Sequence, residues 1–361
     1  MVMYLKKIAF VMSRLGIGGM ERAFIDFVNG LDFTKYKVDV YLTDVGYIWD
    51  DALAKEINVI PINKNNILYK IRATRKIARE IRIFFWKKKK YDYASCFCSY
   101  EVLPAIITKR LCKNNSIWIH SDFEKYYTRE EFDELNKKIK YKEFGNVIGC
   151  SHCVMKSVKD RMGIYEPRAV LIRNIIDGDK AIRFSEDIVD LDMPKDTIRF
   201  IHVGRHEEKT KAISKILEAF KKAKEDNLKF ELILIGDGPE HKMYKEMAHN
   251  FNIEQEAVFI GFDANPYKYM KISDALILSS NHEGQGLVLY EAAILNKYII
   301  TTDVADVKVD IDGKYGEVVD ATSGALYNAI KNYIEKRPEP KEIFDYKRQN
   351  EESYQTFYSI I

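Results

Sequence analysis

Two Rossmann-like α/β domains are the fold this sequence predicts, and three observations predict it. A chain of 361 residues exceeds what one ordinary hydrophobic core organises. Apolar runs of strand length alternate with stretches of helical periodicity, and glycine-rich turns follow several of the runs, as βαβ units require. The charge also reverses midway. Residues 1–175 carry 32 Lys+Arg against 20 Asp+Glu, a net +12, whereas residues 176–361 carry 25 against 34, a net −9. A basic first half suits an anionic surface or acceptor, while no helix-turn-helix, zinc-finger or RNA-binding signature accompanies the charge, so no nucleic-acid partner is expected. No apolar run reaches the roughly 18 residues of a membrane span, and no signal-peptide cleavage pattern follows Lys6-Lys7, so a cytoplasmic protein is expected. Five cysteines, all before residue 154, form an odd set that argues against a disulfide framework.

Taken in order, the first strand, Ile8–Met12, enters the loop Ser13-Arg14-Leu15-Gly16-Ile17-Gly18-Gly19-Met20-Glu21-Arg22. A helix follows, with Ala23, Phe24, Phe27, Val28 and Leu31 on one face. A dinucleotide fingerprint needs glycine where Glu21 stands, which removes the main support for an oxidoreductase. Lys37–Leu42 reads as the second strand. Segment 64–90 holds eleven basic residues against one acid, Glu80, interleaved with Ile71, Ile77, Ile81, Phe84, Phe85 and Trp86. Both a membrane-surface amphipathic helix and a sheet-covering helix with solvated lysines fit that pattern. Ala94–Phe97 is a short strand, and Ser116–Asp122 is a strand ending in a polar turn that brings His120 to a strand end, where ligands of open α/β sheets bind. Val147–Cys150 is a strand. Cys150-Ser151-His152-Cys153 has metal-like spacing without a second pair, so buried thiols filling a core are the better reading.

Val170–Gly178 closes the first domain, and after a polar linker a second unit opens at Ile198-Arg199-Phe200-Ile201-His202-Val203-Gly204-Arg205. Lys209 and Lys211 precede the helix Ile213–Phe220. Fixed cations at a strand end can hold an anionic ligand without a metal. Glu231–Ile235 and Val258–Phe262 are further strands, and Asn265-Pro266-Tyr267 starts a short helix. Asp274–Ser280 then leads through His282-Glu283-Gly284-Gln285-Gly286-Leu287-Val288-Leu289-Tyr290-Glu291-Ala292-Ala293 into a helical pattern that runs to Asn296, and Tyr298–Thr302 is the next strand. This βαβ unit aims the first free N–H groups of its helix, near Gly286, Leu287 and Val288, into the binding crevice, an anion site. Glu283 in the loop and Glu291 one turn inside the helix flank it. Carboxylates beside a phosphate site repel the phosphate unless they serve hydroxyl-rich parts of the same ligand. A nucleotide sugar, with a diphosphate between a ribose and a pyranose, has that shape.

The pattern Glu-Gly-x-Gly-Leu-x-x-x-Glu-Ala resembles the paired-glutamate motif of the retaining glycosyltransferases of family four. Gln285, Asn296 and Tyr298 depart from its usual aromatic, glycine and proline. The resemblance covers nearly the whole chain, most specifically residues 198–303, and implies the GT-B fold, two Rossmann-like domains facing a cleft. On this basis residues 1–176 form an acceptor-binding domain and 177–343 a nucleotide-sugar domain. The aromatic-rich tail 344–361, with Phe344, Tyr354, Phe357, Tyr358 and Ile361 at helical spacing, is implied to pack back on the first. The Gly18-Gly19 turn resembles the family's Gly-Gly-x-Glu-Arg loop, which faces the donor diphosphate or the acceptor. The resemblance further implies that Arg205 and Lys211 grip the diphosphate, with Lys209 the alternative lysine, and that Phe262 borders the base. Glu291 then binds ribose hydroxyls, Glu283 pyranose hydroxyls, and His120 shapes the transfer centre, while Asp122 is the acceptor-side candidate.

The activity so implied is metal-independent hexosyl transfer, without a cofactor, from a nucleotide sugar, UDP-linked in preference to GDP-linked, to a glycan or lipid-linked glycan. Such products serve capsule, lipopolysaccharide or related polysaccharide synthesis at the inner face of the membrane. The carboxylates need not be nucleophiles, unlike those of glycosidases. A nucleotide-sugar epimerase of the same architecture and a non-catalytic nucleotide-sugar-binding protein are the alternatives. A polysaccharide phosphorylase would need a pyridoxal-phosphate lysine and usually a much longer chain.

Overall fold

In the computed structural model, which describes residues 5–16, 18–44, 52–62, 90–191 and 197–361, the chain forms two units: 1–175 with 349–361, and 176–348. All of segment 64–90 except its last residue lies outside the described residues.

The first unit is built on a parallel sheet of β1 (Lys6–Met12), β2 (Tyr36–Leu42), β3 (Asn58–Pro61), β4 (Tyr93–Cys96), β5 (Asn115–Ile119), β6 (Asn146–Gly149) and β7 (Ala169–Leu171), in the order β3-β2-β1-β4-β5-β6-β7. Strands buried on both faces read as continuous apolar runs, and β1 and β4 are of that kind. The edge strand β3 ends in Pro61, a residue that a ladder tolerates only at its margin. Order reverses between β1 and β4, so the loops after these two strands diverge and leave a crevice at their carboxyl ends. Helix Gly19–Asn29 opens there with Gly18 as its N-cap and Glu21 folded back over Gly18.

Helix Tyr346–Ser359 carries the tail. Phe357 is fully buried among Phe10, Phe27, Tyr93 and Trp118, with ring centroids 6.0, 4.9, 5.9 and 6.5 Å away. Tyr358 stacks on Tyr36, and the Tyr354 hydroxyl donates to the Phe27 carbonyl at 2.9 Å. Of the five cysteines, all free thiols, Cys96, Cys98 and Cys150 are buried and Cys112 and Cys153 half-buried.

The second unit has a six-stranded parallel sheet of β8 (Ile198–Val203), β9 (Phe230–Ile235), β10 (Ala257–Gly261), β11 (Ala275–Leu278), β12 (Tyr298–Thr302) and β13 (Gly316–Val319), in the order β10-β9-β8-β11-β12-β13. Alternate residues feed two cores. Phe200, Leu232, Leu234, Ile277 and Ile300 pack under helices Ile213–Glu225, His241–Asn250 and Ser323–Lys336. Ile201, Ile233, Leu276, Leu278 and Ile299 pack under helices Tyr267–Ile272 and Leu287–Ile294 on the other face. The stretch expected as a polar linker is partly helix, Gly178–Ser185, because Ala181 and Phe184 give it an apolar stripe that joins this second core. Here strand order reverses between β8 and β11, so the loops that follow these two strands define the crevice of this sheet.

Candidate active site

The loop after β8 is held by its neighbours before any ligand arrives. His206 N–H donates to the Asp237 carbonyl at 3.0 Å, and Glu240 N–H returns to the His206 carbonyl at 3.2 Å. Gly236, at φ +133°, must be glycine twice over: its backbone is left-handed, and a Cβ would overlap the Gly204 carbonyl. Arg205 stands at this turn with its side chain 64% exposed and Glu207 3.5 Å away, so its guanidinium is open to solvent. The short helix Glu208–Lys211 then ends at Ala212, φ +47°. Glu208 accepts from Ser214 Oγ at 2.5 Å and from the Tyr244 hydroxyl at 2.8 Å, which fixes the join to the next helix.

The loop after β11 closes on this element. Ser279 Oγ donates to the carbonyls of Lys211 and Ala212 at 2.8 and 2.9 Å, and Asn281 N–H donates to the Thr210 carbonyl at 2.8 Å. These bonds bring Lys211 Nζ to 2.5 Å from Glu283 Oε1, which also accepts from Ser280 Oγ at 2.6 Å. The lysine and glutamate side chains are only 18% and 13% exposed, so each charge has lost much of its water and depends on the other. Lys209, two residues earlier, is exposed, and its carbonyl is held by Asn281 Nδ2 at 3.1 Å. Of the two lysines, Lys211 is the one turned into the crevice of this sheet.

Gly286 is the N-cap of helix Leu287–Ile294 at φ +76°, a conformation that favours glycine. Among the described residues no side chain caps this helix, so the N–H groups of Leu287 and Val288 are available to an anion. Glu291, one turn in, is 6% exposed and accepts from the Tyr267 hydroxyl at 2.9 Å. Phe262 follows β10 and is 47% exposed, a free aromatic face at the same end of the sheet. The structure therefore assembles Lys211, Glu283, Gly286, Leu287, Val288 and Glu291 from two loops of one sheet and the helix that follows the second. The supporting groups Ser279, Ser280 and Tyr267 escaped the sequence reading, since hydroxyl side chains at strand and helix ends carry no pattern of their own.

In the first unit, Gly18 and Gly19 stand after β1 and His120 after β5, all at carboxyl strand ends. The His120 ring lies 4.5 Å from that of Phe97 and parallel to Trp118 at 6.0 Å. Burial pushes its pKa down to about 3, so it is a neutral imidazole. Asp122 is buried and occupied. It caps helix Phe123–Tyr126 by accepting from Glu124 N–H at 3.0 Å, and Cys153 Sγ lies 3.3 Å from its second oxygen.

Comparison with known proteins shows what the chain is similar to. Residues 184–350 match the family described as glycosyl transferases group 1. The second unit belongs to that family. An uncharacterized glycosyltransferase of Methanocaldococcus jannaschii is 24% identical to this chain over 214 residues, 56% of this chain and 52% of the relative. The N-acetylgalactosamine-N,N'-diacetylbacillosaminyl-diphospho-undecaprenol 4-alpha-N-acetylgalactosaminyltransferase of Campylobacter jejuni is 24% identical over 221 residues, 58% of this chain and 57% of the relative. The chain thus spans about half the length of these curated relatives. The crystal structure of Anabaena HepE in complex with UDP and glucose superimposes with a TM-score of 0.78 at 17% identity, covering 98% of this chain and 100% of that one. At that identity the likeness establishes the fold, which is GT-B. The group 1 match covers Arg205, Lys211, Glu283 and Glu291, and His120 lies outside it.

Proposed function

We propose that this group 1 chain is a retaining glycosyltransferase that moves a hexose from a nucleotide sugar, a UDP-sugar in preference to a GDP-sugar, to a glycan or lipid-linked glycan in cell-surface polysaccharide synthesis. The observation that carries the reading is the joining of Lys211 to Glu283 beside an uncapped helix N-terminus with Glu291 one turn away. Cations and free N–H groups suit the diphosphate, and the two carboxylates suit the hydroxyl-rich groups at its ends. The names of the structural relative, solved with UDP and glucose, and of the Campylobacter relative, whose acceptor is a diphospho-undecaprenol, support the donor and acceptor classes.

In the proposed step the acceptor hydroxyl oxygen bonds to the anomeric carbon while the bond from that carbon to the diphosphate oxygen breaks on the same face. The electron pair of the broken bond leaves with the nucleoside diphosphate, and the acceptor proton passes to a diphosphate oxygen. Arg205 and Lys211 balance the charge that builds on the leaving group, an effect of order 10²–10³ in rate for a single fixed donor. Donor sugar hydroxyls replace Lys211 as partners of Glu283, whose orientation Ser280 maintains. Gly18, Gly19, neutral His120 and, through the short helix it caps, Asp122 are the contributions assigned to the first unit. With two protein cations in place, no metal is required. Segment 64–90 is proposed to add a peripheral membrane contact through its charge, and among the described residues no helix is long and apolar enough to cross a membrane. Co-sedimentation with vesicles rich in anionic lipid, reversed by high salt, is expected on that account.

The test is nucleotide release by the purified protein given UDP-glucose, UDP-galactose, UDP-N-acetylglucosamine and GDP-mannose in turn, with and without a chelator, using a lipid-linked acceptor and proton NMR of the product. Release from one donor, unchanged by chelator and yielding the donor's own anomeric configuration, is the expected result. Interconversion of the sugar without nucleotide release would establish the epimerase instead.

A further inference from the structure

The contact between Lys211 and Glu283 is made by two side chains anchored from behind. The Lys211 carbonyl accepts from buried Ser279, and the lysine stem lies against Gly204, where an added Cβ would stand 3.2 Å from Cε. Glu283 is anchored through the same oxygen that meets the lysine. Its Oε1 accepts from the Ser280 hydroxyl at 2.6 Å, and the Ser280 carbonyl in turn accepts from the buried Thr302 hydroxyl at 2.7 Å. The ammonium, at the end of a flexible four-carbon stem, is therefore the part that can change partner, while Ser280 keeps the carboxylate in place.

We propose that this ion pair makes the protein select an intact nucleotide sugar over the corresponding nucleoside diphosphate, so that spent product does not hold the site. This rests on the reading of the crevice as a nucleotide-sugar site. A diphosphate that draws Lys211 to itself leaves the Glu283 carboxylate, only 13% exposed, with Ser280 as its remaining partner among the described residues. Taking one member from a partly buried pair is costly, because the charge left behind has little water and no counterion. A nucleotide sugar brings both replacements at once: its diphosphate takes the cation, and a sugar hydroxyl donates to Oε1 in the place the ammonium gives up. A free hexose brings only the second and strands Lys211 in the same way. The pair thus couples the two ends of the donor, and the penalty for a stranded charge supplies the discrimination.

The experiment is calorimetric titration of the full chain, without acceptor, with UDP against UDP-glucose, UDP-galactose and UDP-N-acetylglucosamine, and with GDP against GDP-mannose, comparing wild type, Glu283→Gln, Lys211→Met and the double variant. Wild type is expected to bind one nucleotide sugar roughly tenfold or more tighter than its nucleoside diphosphate. Glu283→Gln, which leaves no charge behind when Lys211 moves, is expected to bind the nucleoside diphosphate roughly tenfold tighter than wild type does, a gain that losing a sugar contact cannot produce. In the Lys211→Met background the same substitution is expected to change nucleoside diphosphate binding little. Glu283→Ala removes the same charge and gives the same reading if Glu283→Gln proves unstable. A folded Glu283 variant that binds the nucleoside diphosphate no tighter than wild type overturns the proposal. So does a gain of equal size in the Lys211→Met background, which would mark plain repulsion between Glu283 and the diphosphate. Either result leaves the nucleotide-sugar reading standing, whereas a wild type that binds none of these ligands overturns that reading and this proposal with it.

Discussion

Three histidines show how single residues in this chain are tuned by what surrounds them. Burial pushes the pKa of His120 and His202 down to about 3, and burial together with the neighbouring His241 pushes that of His206 to about 4. His202 donates from Nδ1 to the Ile277 carbonyl at 3.1 Å, because a carbonyl can only accept, so its tautomer is fixed in the neutral state. His206 and His241 face each other through their Nδ1 atoms at 2.9 Å, which requires one donor and one acceptor and excludes two imidazolium rings. Each folded pKa lies below its unfolded value, so the unfolded chain binds more protons between the two. Stability from these groups is complete above about pH 6.5 and is lost as pH falls from there toward about 3. Thermal unfolding across that window is expected to show a steady fall in melting temperature, and His202→Gln, whose amide can still donate to Ile277, is expected to make the fall shallower. Little of this was legible beforehand. Arg205, Lys211, Glu283 and Glu291 could be named from their resemblance to a family motif, but a sequence does not state that Lys211 and Glu283 hold each other, since that contact is made by two loops 72 residues apart.

At the scale of elements, the strands were legible because both faces of each parallel sheet are covered, so their residues form apolar runs such as Ile8–Met12. The short edge strands Asn58–Pro61 and Gly316–Val319 were not, because four residues half exposed at a margin lack that contrast. Helix Leu287–Ile294 ends two residues earlier than the sequence pattern suggests. Asn296, at φ +55°, takes the left-handed place beyond the helix, with Asn296 N–H bonded to the Ala293 carbonyl at 3.1 Å and Lys297 N–H to that of Ala292 at 2.9 Å. This is a Schellman ending, which explains how asparagine serves where the family pattern has glycine. Asn296→Gly is expected to leave stability within a few tenths of a kcal/mol or raise it, whereas Asn296→Val is expected to cost about 1–2 kcal/mol, measured by denaturant unfolding. An unchanged midpoint in Asn296→Val would remove the cap from the account.

On the scale of the molecule, the two units have separate cores, and residues 349–361 of the tail belong by their contacts to the first, whereas Phe344, expected there too, packs on Tyr290 and Tyr315 of the second. Phe357 lies in that core, so Phe357→Ala is expected to destabilise the first unit by about 3–5 kcal/mol, read as a lower-melting transition in calorimetry. The aromatic spacing of the tail was visible in the sequence, but its partners, Phe10, Phe27 and Trp118, lie more than 200 residues away and only the fold joins them. The two-unit plan was legible for the same reason the site was: strand-end loops at each switch point carry the unusual residues. The central claim is that the second unit's crevice holds a nucleotide sugar through Lys211. Its most direct test is kcat/KM for the preferred donor in Lys211→Ala against wild type, both confirmed folded by circular dichroism. The account predicts a loss of at least about 10²-fold, carried mainly by kcat because the leaving diphosphate gains charge in the transition state. A Lys211→Ala protein that turns over donor at the wild-type rate would contradict it.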